Sequence, residues 1–136
     1  MGTTNMDAAR GFVEGFNARD FERAVSSCAE DFVLTDVPSG QQLKGAEQLK
    51  GWLGMWGGAF GDGRIGEVKY HDAGDSVVAE AVYTGTNDGP FGEAPATGRQ
   101  ATLPFCAVWT FNDRGQMAQQ AAYYDMAGLM AQLGHA

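Results

Sequence analysis

The stretch MAQQAAYYDMAGLMAQLG, Met117 to Gly134, decides the fold. Its first half holds small and aromatic residues that suit a strand. After Asp125, the apolar residues Met126, Leu129, Met130 and Leu133 fall at i, i+3, i+4 and i+7, one stripe of a helix. A strand therefore runs out and turns into a short helix, with one carboxylate at the corner. Two readings of Asp125 are open. As an N-cap, its oxygen accepts a free backbone N–H. As a catalytic acid/base, it stands at the mouth of a pocket built by the rest of the chain.

Working outward, the period before this stretch is two. Arg64 to Asp72 reads as a strand, Ala73-Gly74-Asp75 as a hairpin turn and Ser76 to Thr86 as the partner strand. Asn87 to Gly98, with two prolines, is a loop. Arg99 to Phe111 is a long strand, Asn112 to Gly115 a tight turn, and Gln116 to Tyr124 the last strand. The N-terminal part is helical instead. Asn5 or Asp7 caps a helix with Ala9, Phe12, Val13 and Phe16 on one stripe. Asp20 caps a second, with Phe21, Ala24, Val25 and Cys28 on one face. Phe32 to Val37 is a strand ended by Pro38-Ser39-Gly40, and a third helix runs from Ala46 to Phe60 with Leu49, Trp52, Leu53 and Trp56 as its apolar stripe. Helices that precede a mainly antiparallel sheet define an α+β chain. The expected shape is a cone: a curved sheet wrapped around three N-terminal helices, closed by a short C-terminal helix, with a cavity for a small ligand.

At 136 residues the chain fits a single domain over residues 1–136, and its 44% hydrophobic share supports a packed core. The net charge of −8 excludes nucleic acid and anionic membrane surfaces as partners, since no Lys/Arg cluster exists to meet phosphates. No apolar run approaches the roughly 20 residues that span a bilayer, and the start MGTTNMDAAR lacks a signal-peptide layout, so the expectation is a cytoplasmic protein. Cys28 and Cys106 have no redox or metal spacing and read as buried, inert thiols. With only His71 and His135 besides, no metal site is expected.

Several side chains have two readings. Trp52 and Trp56, four apart on one helix, are core or cavity wall. Tyr83, Tyr123 and Trp109 pose the same choice, with Asp125 a candidate partner for the Tyr123 hydroxyl. Glu80, alternating with Val78 and Val82, belongs on an outer face. His71 belongs in solvent, and Asp72 and Asp75 in a turn.

The run Gly-Thr-x-x-Gly-Pro-Phe…Pro-Ala-Thr-Gly-Arg from Gly85 to Arg99, the strand Leu103-Pro104-Phe105 and the ending Tyr123 to Gly134 resemble the SnoaL-like polyketide cyclases of the nuclear transport factor 2-like superfamily. The resemblance implies the α+β cone, a homodimer packed through the outer sheet face, and ring closure by aldol condensation without cofactor. It also implies an acid/base at the end of the last strand, the place of Asp125. Burial in an apolar cone would suit such a carboxyl to proton transfer. Ketosteroid isomerases are a sister group whose base follows the first strand, the place of Asp36. The two donors of their oxyanion hole fall at Phe12 and about Ala107, which donate nothing, so steroid isomerisation is rejected. Asn87 stands where His is frequent, and Ala121 where a large aromatic is frequent. Limonene epoxide hydrolases use an Asp-Arg-Asp set, which Asp36, Arg99 and Asp125 would imitate only with Arg99 turned inward. The leading expectation is a cofactor-free cyclase or isomerase for a hydrophobic, polycyclic or polyketide-like carbonyl compound. Its catalytic residues are Asp125 and Asp36, and its wall is Trp52, Trp56, Tyr83, Tyr123, Phe16 and Phe105. The alternatives are a non-catalytic small-molecule-binding module or an epoxide hydrolase.

Overall fold

The computed structural model describes residues 2–135. Helix α1 spans Gly2–Asn17 and α2 Phe21–Ala24. Strands β1 (Cys28–Asp36) and β2 (Gln41–Lys44) follow, then α3 (Gly45–Ala59). Strands β3 (Arg64–Asp72), β4 (Ser76–Thr86), β5 (Gln100–Phe111) and β6 (Met117–Tyr124) lead to α4 (Met126–Leu133). The strands form one curved open sheet in the order β2-β1-β6-β5-β4-β3. All pairs are antiparallel except β1 with β6. Helices α1 and α3 pack against the sheet, α2 packs on both of them, and α4 lies along β5, where Gln132 bonds the Thr102 backbone; the α+β expectation holds.

Local chemistry explains the elements. Asp20 caps α2 by accepting from the Arg23 amide at 3.1 Å. The apolar stripe of α1, Ala9, Phe12, Val13 and Phe16, is buried against the sheet. Asn17 ties the end of α1 to β3, donating to the Ile65 carbonyl at 2.9 Å and accepting from the Ile65 amide at 2.8 Å. Arg19 donates to the carbonyls of Phe16, Phe60, Gly61 and Gly63, joining the α1–α2 turn to the end of α3. A Cβ on Gly63 would clash with the Tyr83 hydroxyl and crowd the Phe60 carbonyl, so only glycine fits there. Glu67 takes φ 53° where the β3–β4 register slips between Gly66 and Lys69, a bulge that helps bend the sheet.

Three expectations are corrected. Helix α1 begins upstream of Asn5 and Asp7, so neither caps it; nothing in Thr3 to Met6 stops a helix, and Asn5 instead donates to the Gly74 carbonyl at 3.2 Å. Strand β2 was not expected, because Gln41–Lys44 carries a single apolar residue, Leu43, at a sheet edge. The two cysteines are half-buried rather than buried, since Cys28 opens an edge of β1 and Cys106 faces outward on β5.

Candidate active site

The site grows from strand parity. In β1, Phe32, Leu34 and Asp36 are the buried residues of the alternation, so Asp36 faces inward with two core side chains. Register places it beside Ala122 of β6. In β6, Gln120 and Ala122 are buried, and Tyr124 continues the same face. Helix α3 turns Trp52 and Trp56 toward that face, their rings 6.1 Å apart. Helix α1 supplies Phe12 and Phe16.

Between helices and sheet lies a cavity of about 60 Å³. Trp52, Trp56, Tyr83, Phe16 and Phe105, five of the six expected wall residues, line it, as do Tyr124, Trp109 and Gln120. Tyr123 does not. It is 46% exposed on the outer face, because β6 turns Tyr124 inward instead. Trp52, Phe105 and Tyr124 are the partly exposed members of the lining, and they cluster at one end, with Phe105 paired to Tyr124. That end is the mouth. The opposite end, at Trp109 and Gln120, is fully buried. The volume is small beside the roughly 300–1,000 Å³ of sites for drug-sized ligands. It is also below the roughly 150 Å³ of a cavity that takes benzene, so even a single ring needs the rim side chains to move.

Asp36 sits behind the mouth, 3% exposed. The Tyr124 hydroxyl donates to its carboxylate, 2.9 Å from each oxygen, and Trp52 Nε1 donates to Oδ2 at 3.1 Å. The Ser39 amide donates to Oδ1 at 3.4 Å, so Asp36 also closes the turn into β2. No ion pair involves Asp36 among the described residues. Burial first, and then the Asp36 carboxylate beside it, pushes the Tyr124 phenol above its ordinary value, so it stays a neutral donor. Burial likewise raises Tyr83, whose hydroxyl donates to the Trp56 carbonyl at 3.1 Å.

Asp125 is elsewhere. It is exposed and caps α4 by accepting from the Gly128 amide at 2.9 Å. The bland reading of that residue is the geometry observed, because the turn out of β6 aims its carboxylate along the helix axis rather than into the cavity. Arg99 is exposed, its guanidinium against Gly134, so the Asp36-Arg99-Asp125 set is not assembled. Asn87 is fully buried and uses all its side-chain capacity structurally. It donates to the carbonyls of Ala59 and Gly89 and accepts from the amide and hydroxyl of Thr97. Phe12 and Ala107 both line the cavity, so the two positions read as lacking donors do face it.

The cavity carries a feature that sequence reading missed. Among the described residues, Trp56 Nε1, Trp109 Nε1 and Gln120 Oε1 are buried without a hydrogen-bond partner, and all three residues line the cavity. Each such group costs about 1–3 kcal/mol when left alone. The parity of Gln120 with Ala122 and Tyr124 is the signal that marks it as inward.

No cluster of three potential metal-ligating side chains occurs among the described residues, and no helix there is long and apolar enough to cross a membrane. The six-stranded curved open sheet with its four helices matches the nuclear transport factor 2-like fold. The family model of SnoaL-like polyketide cyclases matches residues 6–133, and the chain belongs to that family. Solved structures agree in fold. A candidate SnoaL-like polyketide cyclase from Jannaschia sp. CCS1 superposes with TM-score 0.88 at 22% identity, covering 98% of this chain and 94% of that one. A candidate hydroxylase from Streptomyces galilaeus gives TM-score 0.85 at 17% identity, covering 100% and 99%. TerC, crystallised with polyporic acid, gives TM-score 0.78 at 22% identity, covering 96% and 98%. No curated protein matches the chain.

Proposed function

We propose that the protein is a cofactor-free acid/base enzyme for a hydrophobic carbonyl compound, an aldol cyclase or isomerase, with Asp36 rather than Asp125 as the proton-transfer group. The observation that supports this is a buried carboxylate without a cation, held by two side chains, Trp52 and Tyr124, that themselves line an apolar cavity. After these bonds the carboxylate keeps lone-pair capacity for a proton. In the proposed reaction Asp36 removes a proton from the carbon next to a carbonyl, leaving an enolate. In a cyclase the enolate carbon then bonds to a second carbonyl carbon of the same molecule, and the alkoxide formed takes the proton back. The enolate oxygen needs a donor. Trp56 Nε1 is free, and its ring lies 5.3 Å from Tyr124, in the same cluster as the base. The reading takes the protein as cytoplasmic and as a homodimer joined through the outer sheet face, where Tyr123 is exposed. The net charge of −8 supports a partner other than nucleic acid.

The test is exchange of the α-protons of 2-indanone, followed by NMR in D2O. The wild-type protein should accelerate exchange, and Asp36→Asn should lose about 10²–10⁴-fold of that acceleration. Equal exchange by Asp36→Asn would end the catalytic reading. One observation favours a non-catalytic binding module: both oxygens of Asp36 already have partners from its own chain. On that reading 2-indanone binds and its protons exchange no faster than in buffer.

A further inference from the structure

The unpartnered groups at the closed end have a chemistry of their own. Trp109 and Gln120 are register partners on adjacent strands, so their side chains leave the sheet side by side on the cavity face. They are 1% and 3% exposed. Trp109 Nε1 carries a proton with no acceptor, and Gln120 Oε1 is an acceptor with no donor. Around them the wall is hydrocarbon and aromatic: the Phe12 ring meets Trp109 edge-on at 5.3 Å, and Leu34 is the register neighbour of Gln120 on the other strand. A glutamine and an indole N–H left unmatched in such surroundings serve no packing purpose that leucine and phenylalanine would not serve better.

We infer that the closed end of the cavity is a recognition site for a hydroxyl group on the ligand, phenolic or enolic, which accepts from Trp109 Nε1 and donates to Gln120 Oε1. A ligand hydroxyl supplies both missing partners at one atom, and in doing so takes the place that a water molecule would otherwise fill. A carbonyl answers only the indole, and an ammonium answers only the amide oxygen. The inference rests on the reading of this cavity as a small-molecule site and narrows its ligand class. Gln120 and Ala122 are consecutive inward residues of β6, and Ala122 is the register partner of Asp36. The hydroxyl site therefore lies about 7 Å along the strand from the level of the carboxylate. That span is about the width of one six-membered ring with its substituents. The ligand is a compact ring that carries a hydroxyl at one end and presents its reacting carbon at the other, and the closed end fixes which way round it enters.

Phenol and toluene are the probes, because they differ by a hydroxyl in place of a methyl at nearly equal size. Their affinities are measured by titration calorimetry on the full chain, in the wild type, Gln120→Met and Trp109→Phe. The wild type should bind phenol at least as tightly as toluene, although phenol is the more costly to dehydrate. Gln120→Met, close in shape, should shift the phenol-to-toluene affinity ratio toward toluene by about tenfold. Trp109→Phe should shift it in the same direction, so a folding failure in one variant leaves the other to decide. If both probes bind and neither variant changes the ratio, the hydroxyl site is wrong while the small-molecule cavity stands. If neither probe binds the wild type at millimolar concentration, the cavity reading itself falls and takes the hydroxyl site with it.

Discussion

Replacing Asn87 with alanine should cost the protein about 3 kcal/mol of stability. The magnitude follows from the bonds. Asn87 Nδ2 donates to Ala59 O at 3.1 Å and to Gly89 O at 2.9 Å, and Oδ1 accepts from the Thr97 amide at 2.8 Å. A fourth contact, from the Thr97 hydroxyl, is longer at 3.3 Å. Each good bond contributes about 1 kcal/mol net, and the partners left behind lie in or near the interior. Three such bonds lost give about 3 kcal/mol, against a total stability of about 5–15 kcal/mol for a domain. With a urea slope near 2 kcal/mol/M, the unfolding midpoint should fall by about 1.5 M at unchanged slope. Asn87→Asp isolates the donors: it keeps the shape and Oδ1 but turns an acceptor toward two carbonyls, so it should cost at least as much as alanine. A loss below about 1 kcal/mol in either variant would refute the description of Asn87 as the latch between α3 and the 87–98 loop.

Other outcomes are more local. Asp125→Ala should lose about 1 kcal/mol by removing the α4 cap, while α-proton exchange of 2-indanone stays at the wild-type rate; a collapse of exchange in this variant would restore Asp125 as the acid/base. Burial pushes the Cys28 thiol up from 9.0 to about 11, so it should react with a disulfide reagent at pH 8 far more slowly than a free cysteine. The folded state then holds this proton more tightly than the unfolded state. The associated stability is present below pH 9 and is lost as the pH rises toward 11, a loss that Cys28→Ser should remove from the urea midpoints.

The sequence was legible where one periodicity ran unbroken. Between Arg64 and Thr86 the two-residue alternation and the Ala73-Gly74-Asp75 turn define β3 and β4 at the ends observed. It was less legible where phase depends on a partner strand. In β6, counting inward positions from buried Met117 would point Tyr123 into the cavity. The β5–β6 register slips between Thr110 and Phe111, with Gln119 and then Met117 as their partners, and this shift turns Gln120, Ala122 and Tyr124 inward instead. The ranking of the two candidate acids, Asp125 as the acid/base ahead of Asp36, rested on resemblance and not on which face each carboxylate takes. Asp125 and Asp36 both end strands, but Asp36 shares its parity with Phe32 and Leu34, whereas Asp125 stands first in a helix and meets that helix's own amides. Gln120 drew no notice because a glutamine beside a glutamine carries no signal until its neighbours' faces are known.

The placement of β6 has a consequence for biosynthesis. The last strand to be made is an inner one, lying between β1 and β5. A nascent chain that has reached the turn before Met117 therefore shows two open strand edges, one on β1 and one on β5, of the kind that invite pairing with other chains. The Tyr124–Asp36 contact closes a separation of 88 positions. Such long-range closures come late and slowly in folding. The same insertion that seals both edges brings Tyr124 to Asp36, so protection from aggregation and assembly of the pocket are one event.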